Sequence, residues 1–244
     1  MGKRIIQQRR GRGTSTYRSH SFRFAGRSAY NTYKKDGVTI GKVIELVHSR
    51  GHSAPLMKVK YEESGETALL PAYVGVKIGD LFSIHQEQEV DSSTVEKGSA
   101  YMLKHIPNGT SIYNIEITPG DSGRIVKAGG SYATVVGQIK NMTKVLLPSK
   151  KEKLINNSCR AIVGEIGGAG RLEKPFLKAG LKAMYKAKAN KLFPVVSGVA
   201  MSAFDHPHGG TRSLRKGRPT IAPKNAPPGR KVGMLRPKHT GRNK

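Results

Sequence analysis

A short loop near the carboxyl end of the chain holds the residues best suited to chemistry. Asp205, His206 and His208 stand close together beside Pro207 and the Gly209-Gly210 pair. Proline fixes its own backbone angle and glycine permits tight turns, so these polar side chains are expected on a stiff, sharply bent loop. Such a loop could position a polar group for catalysis, for metal binding or for contact with a polyanion.

Catalysis is the first possibility, because Ser202 lies near a potential base and a potential orienting acid. Asp205 and His206 are adjacent, however, whereas catalytic triads are assembled from separated segments. Pro207 also restricts the backbone of His206. We therefore predict no catalytic residue and no independent enzyme activity, with catalysis through His206 kept as the alternative.

A metal or nucleotide site is the second possibility. Asp205, His206 and His208 make an incomplete ligand set without a distant partner such as His239. Two glycine-rich stretches, GDSGRIVKAGG from Gly120 and GEIGGAGRLEKP from Gly164, complete neither of the common phosphate-binding motifs. We expect no metal and no cofactor.

The single cysteine, Cys159, excludes an internal disulfide and a cysteine zinc knuckle. Cys159, Ala161 and Val163 alternate with Arg160 and Ile162. This pattern predicts a strand on which Cys159 is a small buried apolar residue.

Charge is strongly segregated along the 244 residues. Residues 1–35 carry ten Lys and Arg and no acid, residues 36–170 carry fifteen against fourteen acids, and residues 171–244 carry eighteen against two. The net charges are +10, +1 and +16. Self-repulsion of this size opposes compaction unless counter-charge is supplied, and nucleic acid is the obvious polyanion.

A membrane surface is the competing polyanion, but glycine and proline interrupt both basic flanks and neither has a long apolar face. No stretch is long and apolar enough to span a bilayer, and the amino terminus lacks the apolar centre of a secretory signal. The expected partner is therefore nucleic acid and not a membrane, and the expected location is the cytoplasm.

The basic arm at residues 1–35 alternates cations with Gly, Ser and Thr and adds aromatic residues. Arginine can bind phosphates in a forked geometry and aromatic rings can stack on unpaired bases, so this composition favours folded RNA. The aromatic residues are Tyr17, Phe22, Phe24, Tyr30 and Tyr33, and the predicted RNA-binding cations are Arg9, Arg10, Arg12, Arg18 and Arg23.

The near-neutral centre has the pattern of a mainly β protein. Alternating apolar and polar residues at 57–61 and at 113–117 predict half-buried strands, and frequent turn signals separate such runs. Many short strands favour small closed barrels. The acidic-leaning segment 85–100 is the best internal boundary, which places one barrel at 36–90 and a second at 91–170.

Residues 171–244 form the predicted basic extension, with one helix at 174–193 and an extended tail. Lysines recur every four residues along that helix, beside a modest apolar stripe of Leu177, Leu181 and Met184. Like charges at this spacing repel, whereas a row of phosphates would stabilise them. The predicted RNA-binding residues beyond the arm are Arg124, Arg171, Lys174, Lys178, Lys182, Lys186, Asp205, His206, His208, Arg212, Arg215, Arg218, Arg230, Lys231, Arg236 and Arg242.

Ordered motifs across nearly the whole chain resemble the L2 family of large-subunit ribosomal proteins. They are QRRGRGTS, GDSGR, GGAGRLEKP, GVAMSAFDHPHGG and NAPPGRKVG followed by TGR. The first and last of them resemble the archaeal and eukaryotic branch of the family. The chain departs from the family pattern at Ser202-Ala203 and at Thr211, both beside the Asp205-His206-Pro207 loop.

This resemblance implies an OB-fold barrel followed by an SH3-like barrel, with long basic extensions that bind RNA. It also implies a primary binder of large-subunit ribosomal RNA that supports assembly, subunit association and the region of the peptidyl-transferase centre. The implied partners are ribosomal RNA, neighbouring ribosomal proteins and the small subunit. The alternatives are direct participation of His206 in peptide-bond formation, and a nonspecific condenser of nucleic acid, for which the near-neutral centre would be superfluous.

Overall fold

The computed structural model describes residues 2–30, 37–86, 95–211 and 213–235. The chain forms two compact units. One is Ser21–Pro175, here called the β unit, and the other combines Met1–His20 with Phe176–Lys244 and is called the cationic unit. The segment boundaries at residues 35, 90 and 170 remain sequence predictions. Among the described residues, no helix is long and apolar enough to cross a membrane.

The described part of the β unit is a single ten-stranded sheet, which confirms the mainly β prediction. Its strands are β1 (Gly37–Val47), β2 (Leu56–Tyr61), β3 (Thr67–Pro71), β4 (Leu81–Gln86), β5 (Ala100–Met102), β6 (Ser111–Tyr113), β7 (Ala133–Ile139), β8 (Met142–Leu146), β9 (Glu152–Asn156) and β10 (Arg160–Val163). They are ordered β3-β2-β1-β4-β5-β10-β6-β7-β8-β9. The β4–β5 pair is parallel and the other pairs are antiparallel.

Two hydrophobic clusters fill the β unit. The first contains residues of β1 to β4 together with Tyr30, Tyr113, Ile162 and Ile166. The second contains residues of β5 to β10, among them Ile112, Val145 and Ile155, together with Leu103 from the turn after β5. The burial of Met57, Val59 and Tyr61 on β2 confirms the strand predicted there, with Lys60 exposed between them.

Strand β10 lies between the two clusters, which corrects the predicted alternation around Cys159. Cys159 is buried as predicted, directly before the strand. Ala161 and Val163 join it in the second cluster, whereas Ile162 packs in the first. Each face of β10 therefore meets a core, and Arg160 is buried as well. A strand covered on both faces loses the polar half of its pattern.

The half-buried strand predicted at 113–117 is wrong beyond its first residue. Strand β6 ends at Tyr113, because Asn114 adopts a left-handed backbone with φ 49°. Asn114 and Glu116, predicted to face solvent, are both buried, and Ile117 is 40% exposed. Ile115 is buried as predicted, so both sides of the segment are buried as far as Glu116, and only Ile117 faces solvent against the prediction.

The cationic unit contains two short helices, α1 (Ile6–Gly11) and α2 (Ala179–Lys188). Helix α1 lies in the arm and was not predicted, and α2 is shorter than the predicted 174–193. The residue before a proline disfavours the helical region, so Lys174 before Pro175 cannot begin the helix there. At the other end Asn190 has φ 50°, the left-handed conformation that commonly follows a helix.

Few side chains are buried in the cationic unit. At its described positions the buried residues are Ile5, His208, Ala222 and Val232. Helix α2 has no buried residue, and its predicted apolar stripe is exposed, with Leu177 at 89% and Met184 at 69%. This unit therefore lacks the packed core that the β unit has.

Candidate nucleic-acid interface

The loop around His206 is a tight, hydrogen-bonded turn, as Pro207 and the two following glycines predicted. The amides of Asp205 and His206 both donate to the Ser202 carbonyl, at 3.1 and 3.2 Å. The Gly209 amide donates to the His206 carbonyl at 2.9 Å. A Cβ atom at Gly209 would collide with the Ser202 carbonyl, so this position requires glycine. The backbone alone therefore fixes the shape of the loop.

His206 is held by its own loop. The His208 amide donates to His206 Nδ1 at 3.0 Å, so Nδ1 is the unprotonated nitrogen and the hydrogen of the neutral ring lies on Nε2. Burial, and secondly His208, lowers the pKa of His206 below its ordinary value of 6.5. Burial also lowers the pKa of His208, helped by Lys216 and Arg218. Neutral rings are thus favoured at neutral pH.

Asp205 is bonded to its neighbours and not to His206. Its carboxylate accepts a hydrogen bond from Ser202 Oγ at 3.2 Å and lies 3.6 Å from Lys3 Nζ. The Lys3 amide also donates to the Phe204 carbonyl at 2.9 Å. The serine hydroxyl is therefore paired with the acid, which is not the contact that a nucleophile and its base require.

An open basin of about 750 Å³ lies in front of the loop. Its lining includes Lys3, Arg4, Asp205, His206, Arg218 and Arg230. Four cations thus surround one carboxylate that is already paired with Lys3. This composition suits a polyanion whose phosphates approach from solvent. Within the residues that the structure describes, no group of three or more His, Cys, Asp or Glu side chains could hold a metal ion.

Asn190 connects α2 to the arm within the cationic unit. Its Nδ2 lies within hydrogen-bonding distance of the carbonyls of Ser15, Thr16 and Arg18, at 3.3, 2.9 and 2.7 Å. These contacts join residues more than 170 positions apart, which no local sequence pattern could indicate. The arm and the carboxyl-terminal segment therefore form one cationic body.

The predicted cations of the cationic unit are exposed at their described positions, apart from the half-buried Lys186. Arg9 and Arg10 occupy the last turn of α1, and Arg12 follows it. Lys182 and Lys186 lie on α2, and Lys178 immediately precedes it. Arg18, Arg215, Arg218, Arg230 and Lys231 lie in the connecting segments, whereas Arg212, Arg236 and Arg242 lie outside the described residues.

Arg23, Arg124, Arg171 and Lys174 belong instead to the β unit. Arg23 lies in a 3-10 turn beside the Phe22 ring, and Arg124 is an exposed residue of the GDSGR motif. Arg171 Nε donates to the Gly129 carbonyl at 3.2 Å. The predicted residues thus fall into two groups, one in each unit.

Sequence reasoning missed two pairs of residues that shape these sites. Lys3 and Arg4 line the basin, and their only signal was the general basicity of the arm. Glu116 and Arg160 form a fully buried ion pair of 2.7 Å beside the GDSGR motif. A charged residue at the start of an otherwise apolar strand is the signal that could have identified Arg160.

Known proteins resemble this chain along its full length. The family model described as "Ribosomal Proteins L2, C-terminal domain" matches residues 96–230. The large ribosomal subunit protein uL2 of Methanothermobacter thermautotrophicus is 43% identical over 248 residues and covers all of both chains. The uL2 proteins of Methanosphaera stadtmanae and Methanocaldococcus jannaschii are 44% and 45% identical, with at least 99% of each chain covered.

The fold and the site define a mainly β protein that carries a separate, strongly cationic unit. The chain belongs to the L2 family of large-subunit ribosomal proteins, and its full-length relatives place it with the archaeal type. The resemblance read from its motifs is thereby confirmed.

Proposed function

We propose that the chain is a structural constituent of the large ribosomal subunit whose cationic unit binds ribosomal RNA. The observation that carries this proposal is the composition of that unit. It holds 22 Lys and Arg against a single acid, Asp205, which gives a net charge of +21. Four buried residues at its described positions cannot offset repulsion of that size, so a polyanion must supply counter-charge.

The contacts are proposed to be of two kinds. Exposed Arg and Lys bind phosphates and fix the position of the protein on the RNA. The basin in front of His206 accepts a backbone segment, since Lys3, Arg4, Arg218 and Arg230 converge on it. Arg23, Arg124, Arg171 and Lys174 add contacts from the β unit.

The β unit is proposed to contain the two barrels that family membership implies. Strands β1 to β4 with the first cluster would form the OB-fold barrel, and β5 to β10 with the second cluster the SH3-like barrel. Within the ribosome the chain would support assembly, subunit association and the region of the peptidyl-transferase centre. Its partners would be ribosomal RNA, neighbouring ribosomal proteins and the small subunit, in the cytoplasm, and its role would not be enzymatic.

Salt dependence of binding to a large-subunit RNA fragment tests the proposal. If about ten phosphates are neutralised, log K against log salt should have a slope of about −7 to −9. Replacing Lys178, Lys182 and Lys186 with Gln should make that slope less steep by about 2 to 3.

The matched control replaces three lysines of the β unit, Lys140, Lys150 and Lys153, with Gln. The charge change is identical, but these residues lie on or beside β8 and β9 and are not among the proposed contacts. We expect a change in slope below about 1. If both triple variants reduce the salt slope equally, the chain is a nonspecific condenser of nucleic acid and the proposed site is refuted.

A further inference from the structure

Residues Ser21–Tyr30, here called the strap, belong to the β unit although their composition is that of a basic arm. Ser28 forms a parallel bridge with Leu69 of β3, and the Ala29 amide donates to the Leu69 carbonyl at 3.1 Å. Earlier in the strap, the Ala25 amide donates to Ser49 Oγ, in the segment after β1, at 3.3 Å. The strap is thus bonded to the part of the sheet formed by β1 to β3.

Tyr30, at the end of the strap, contacts the segment that follows β6. Its side chain is only 3% exposed, and its hydroxyl donates to the Asn114 carbonyl at 2.8 Å. Its own carbonyl accepts a hydrogen bond from Ser122 Oγ at 3.3 Å, and the Arg160 guanidinium lies 5.3 Å from the ring centroid. Burial raises the pKa of Tyr30, so the phenol stays protonated and remains a donor.

Lys127 ties the strap directly to the GDSGR loop, residues Gly120–Arg124. Its ammonium group donates to the Ser28 carbonyl at 2.7 Å and to the Gly123 carbonyl at 3.1 Å. Burial, together with Arg27 and Arg124, lowers the pKa of Lys127. This cation is therefore used inside the protein, to hold two backbone segments together.

The GDSGR loop has a buried anchor of its own. The Glu116 carboxylate accepts hydrogen bonds from the amides of Gly120 and Ser122 and from the Arg160 guanidinium. A Cβ atom at Gly123 would lie 2.7 Å from the Asn114 carbonyl, so the loop passes close to the carbonyl that Tyr30 binds. Arg124, at the end of the loop, leaves this frame with 59% of its side chain exposed.

We propose that Tyr30 is a positioning residue, which fixes the GDSGR loop through the strap so that Arg124 is presented to RNA. The proposal rests on the RNA-binding function proposed above. The Tyr30 hydroxyl holds the Asn114 carbonyl, the Tyr30 carbonyl holds Ser122, and Lys127 closes the circuit between strap and loop. This part of the basic arm thus acts within the protein, before any RNA is bound.

The test is Tyr30→Phe in the full-length chain, which removes one hydroxyl and leaves charge and shape unchanged. Hydrogen exchange of the RNA-free protein should become about tenfold faster at residues 116–127, because the buried Asn114 carbonyl loses its donor. Exchange in β8 should not change. The control is Tyr132→Phe, since Tyr132 is 45% exposed and its hydroxyl has no hydrogen bond in the part of the chain that the structure describes. Unchanged exchange at 116–127, or an equal increase in β8, would overturn the proposal.

Binding to the RNA fragment supplies the second readout. A positioning residue contacts no phosphate, so Tyr30→Phe should weaken binding about three- to tenfold without altering the salt slope. Arg124→Gln, which removes a phosphate contact, should lower the slope by about 1. A lowered slope in Tyr30→Phe would overturn the positioning role. If the unmodified chain does not bind the fragment, the proposed function fails, and exchange at 116–127 alone decides whether the strap holds the loop.

Discussion

The two units of this chain differ in net charge and in the number of residues that they bury. The β unit carries 21 Lys and Arg against 15 acids, a net charge of +6, and buries two apolar clusters. The cationic unit has a net charge of +21 and four buried residues among its described positions. The β unit can pair and bury its charges, whereas the cationic unit must find its counter-charge outside the chain.

Carboxylates illustrate this contrast. Glu116 in the β unit is fully buried and bonded to backbone amides and to Arg160. Asp205, the acid of the cationic unit, is half-exposed, and its partner Lys3 is 61% exposed. The first ion pair organises a loop from inside the protein, and the second lines the open basin in front of His206. The two carboxylates thus differ in burial and in their hydrogen-bond partners, although each is paired with a cation.

The largest expected difference concerns backbone protection in the RNA-free protein. Amides of β2 and β8 should exchange about a thousandfold or more slowly than amides of α2, because those strands border buried cores. Helix α2 has ten residues, none buried, and repelling lysines at positions 182 and 186. Hydrogen exchange followed by mass spectrometry measures both units in one sample.

Binding of ribosomal RNA should then slow exchange in α2 by about a hundredfold while leaving β2 and β8 nearly unchanged. A short DNA duplex at the same phosphate concentration is the control, since it supplies charge without the folded RNA surface. If α2 is as strongly protected as β2 before RNA is added, the contrast between the units is wrong.

The second prediction compares the two carboxylates. Glu116→Gln should destabilise the β unit by about 3–5 kcal/mol, because it leaves the Arg160 charge buried without its partner. Asp205→Asn should cost less than about 1 kcal/mol, since its ion pair with Lys3 is solvated. Urea unfolding measures the free energy for Glu116→Gln, and hydrogen exchange of the cationic unit in the RNA-bound protein measures that for Asp205→Asn.

Glu152→Gln is the matched control within the β unit. Glu152 forms a short ion pair with Lys144, 2.8 Å long, but the Glu152 side chain is 52% exposed. A cost of less than about 1 kcal/mol is expected, despite the good geometry. If Glu116→Gln proved as mild as Glu152→Gln, burial would not be what separates the carboxylates of the two units.

The sequence was informative wherever a segment has one buried and one exposed face. Strand β2 satisfies this condition, since Met57 and Val59 are buried and Lys60 is exposed. Strand β10 does not, because its alternate residues enter two different cores. Glu116 looked like a surface residue because its partner Arg160 lies 44 positions away. No local pattern can show such a pairing.

The site was predictable to the same extent. Pro207 and Gly209 predicted the tight loop, because the backbone preferences of proline and glycine act locally. The basin was not predictable, since Lys3 and Arg230 reach it from opposite ends of the chain. The basic composition of the strap predicts an RNA-binding arm, in which Tyr30 would be a base-stacking ring. Its burial became visible only in the fold.

The smallest expected effect concerns His206, where a positioning role and a catalytic role differ most. Ribosomes carrying His206→Gln or His206→Asn should form peptide bonds within about tenfold of the normal rate. Neutral His206 has its hydrogen on Nε2 and its Nδ1 bonded to the His208 amide, so it can accept a proton only by losing that hydrogen bond. Single-turnover peptide-bond formation on purified particles with full occupancy of the protein measures the effect.

The two substitutions separate the roles because they preserve different atoms. Asparagine keeps an acceptor near the position of Nδ1 and can still bind the His208 amide, whereas glutamine places its amide nearer Nε2. A positioning role predicts that assembly is closer to normal with Asn than with Gln.

Burial lowers the pKa of His206, so the loop is fully stabilised above about pH 6.5 and loses stability as the pH falls toward the lowered value. The Asn variant should lose less loop stability as the pH falls, because only His208 then titrates in the loop. A general base would contribute about 10²–10⁴-fold, so equal losses of a thousandfold in both variants would make His206 a catalyst.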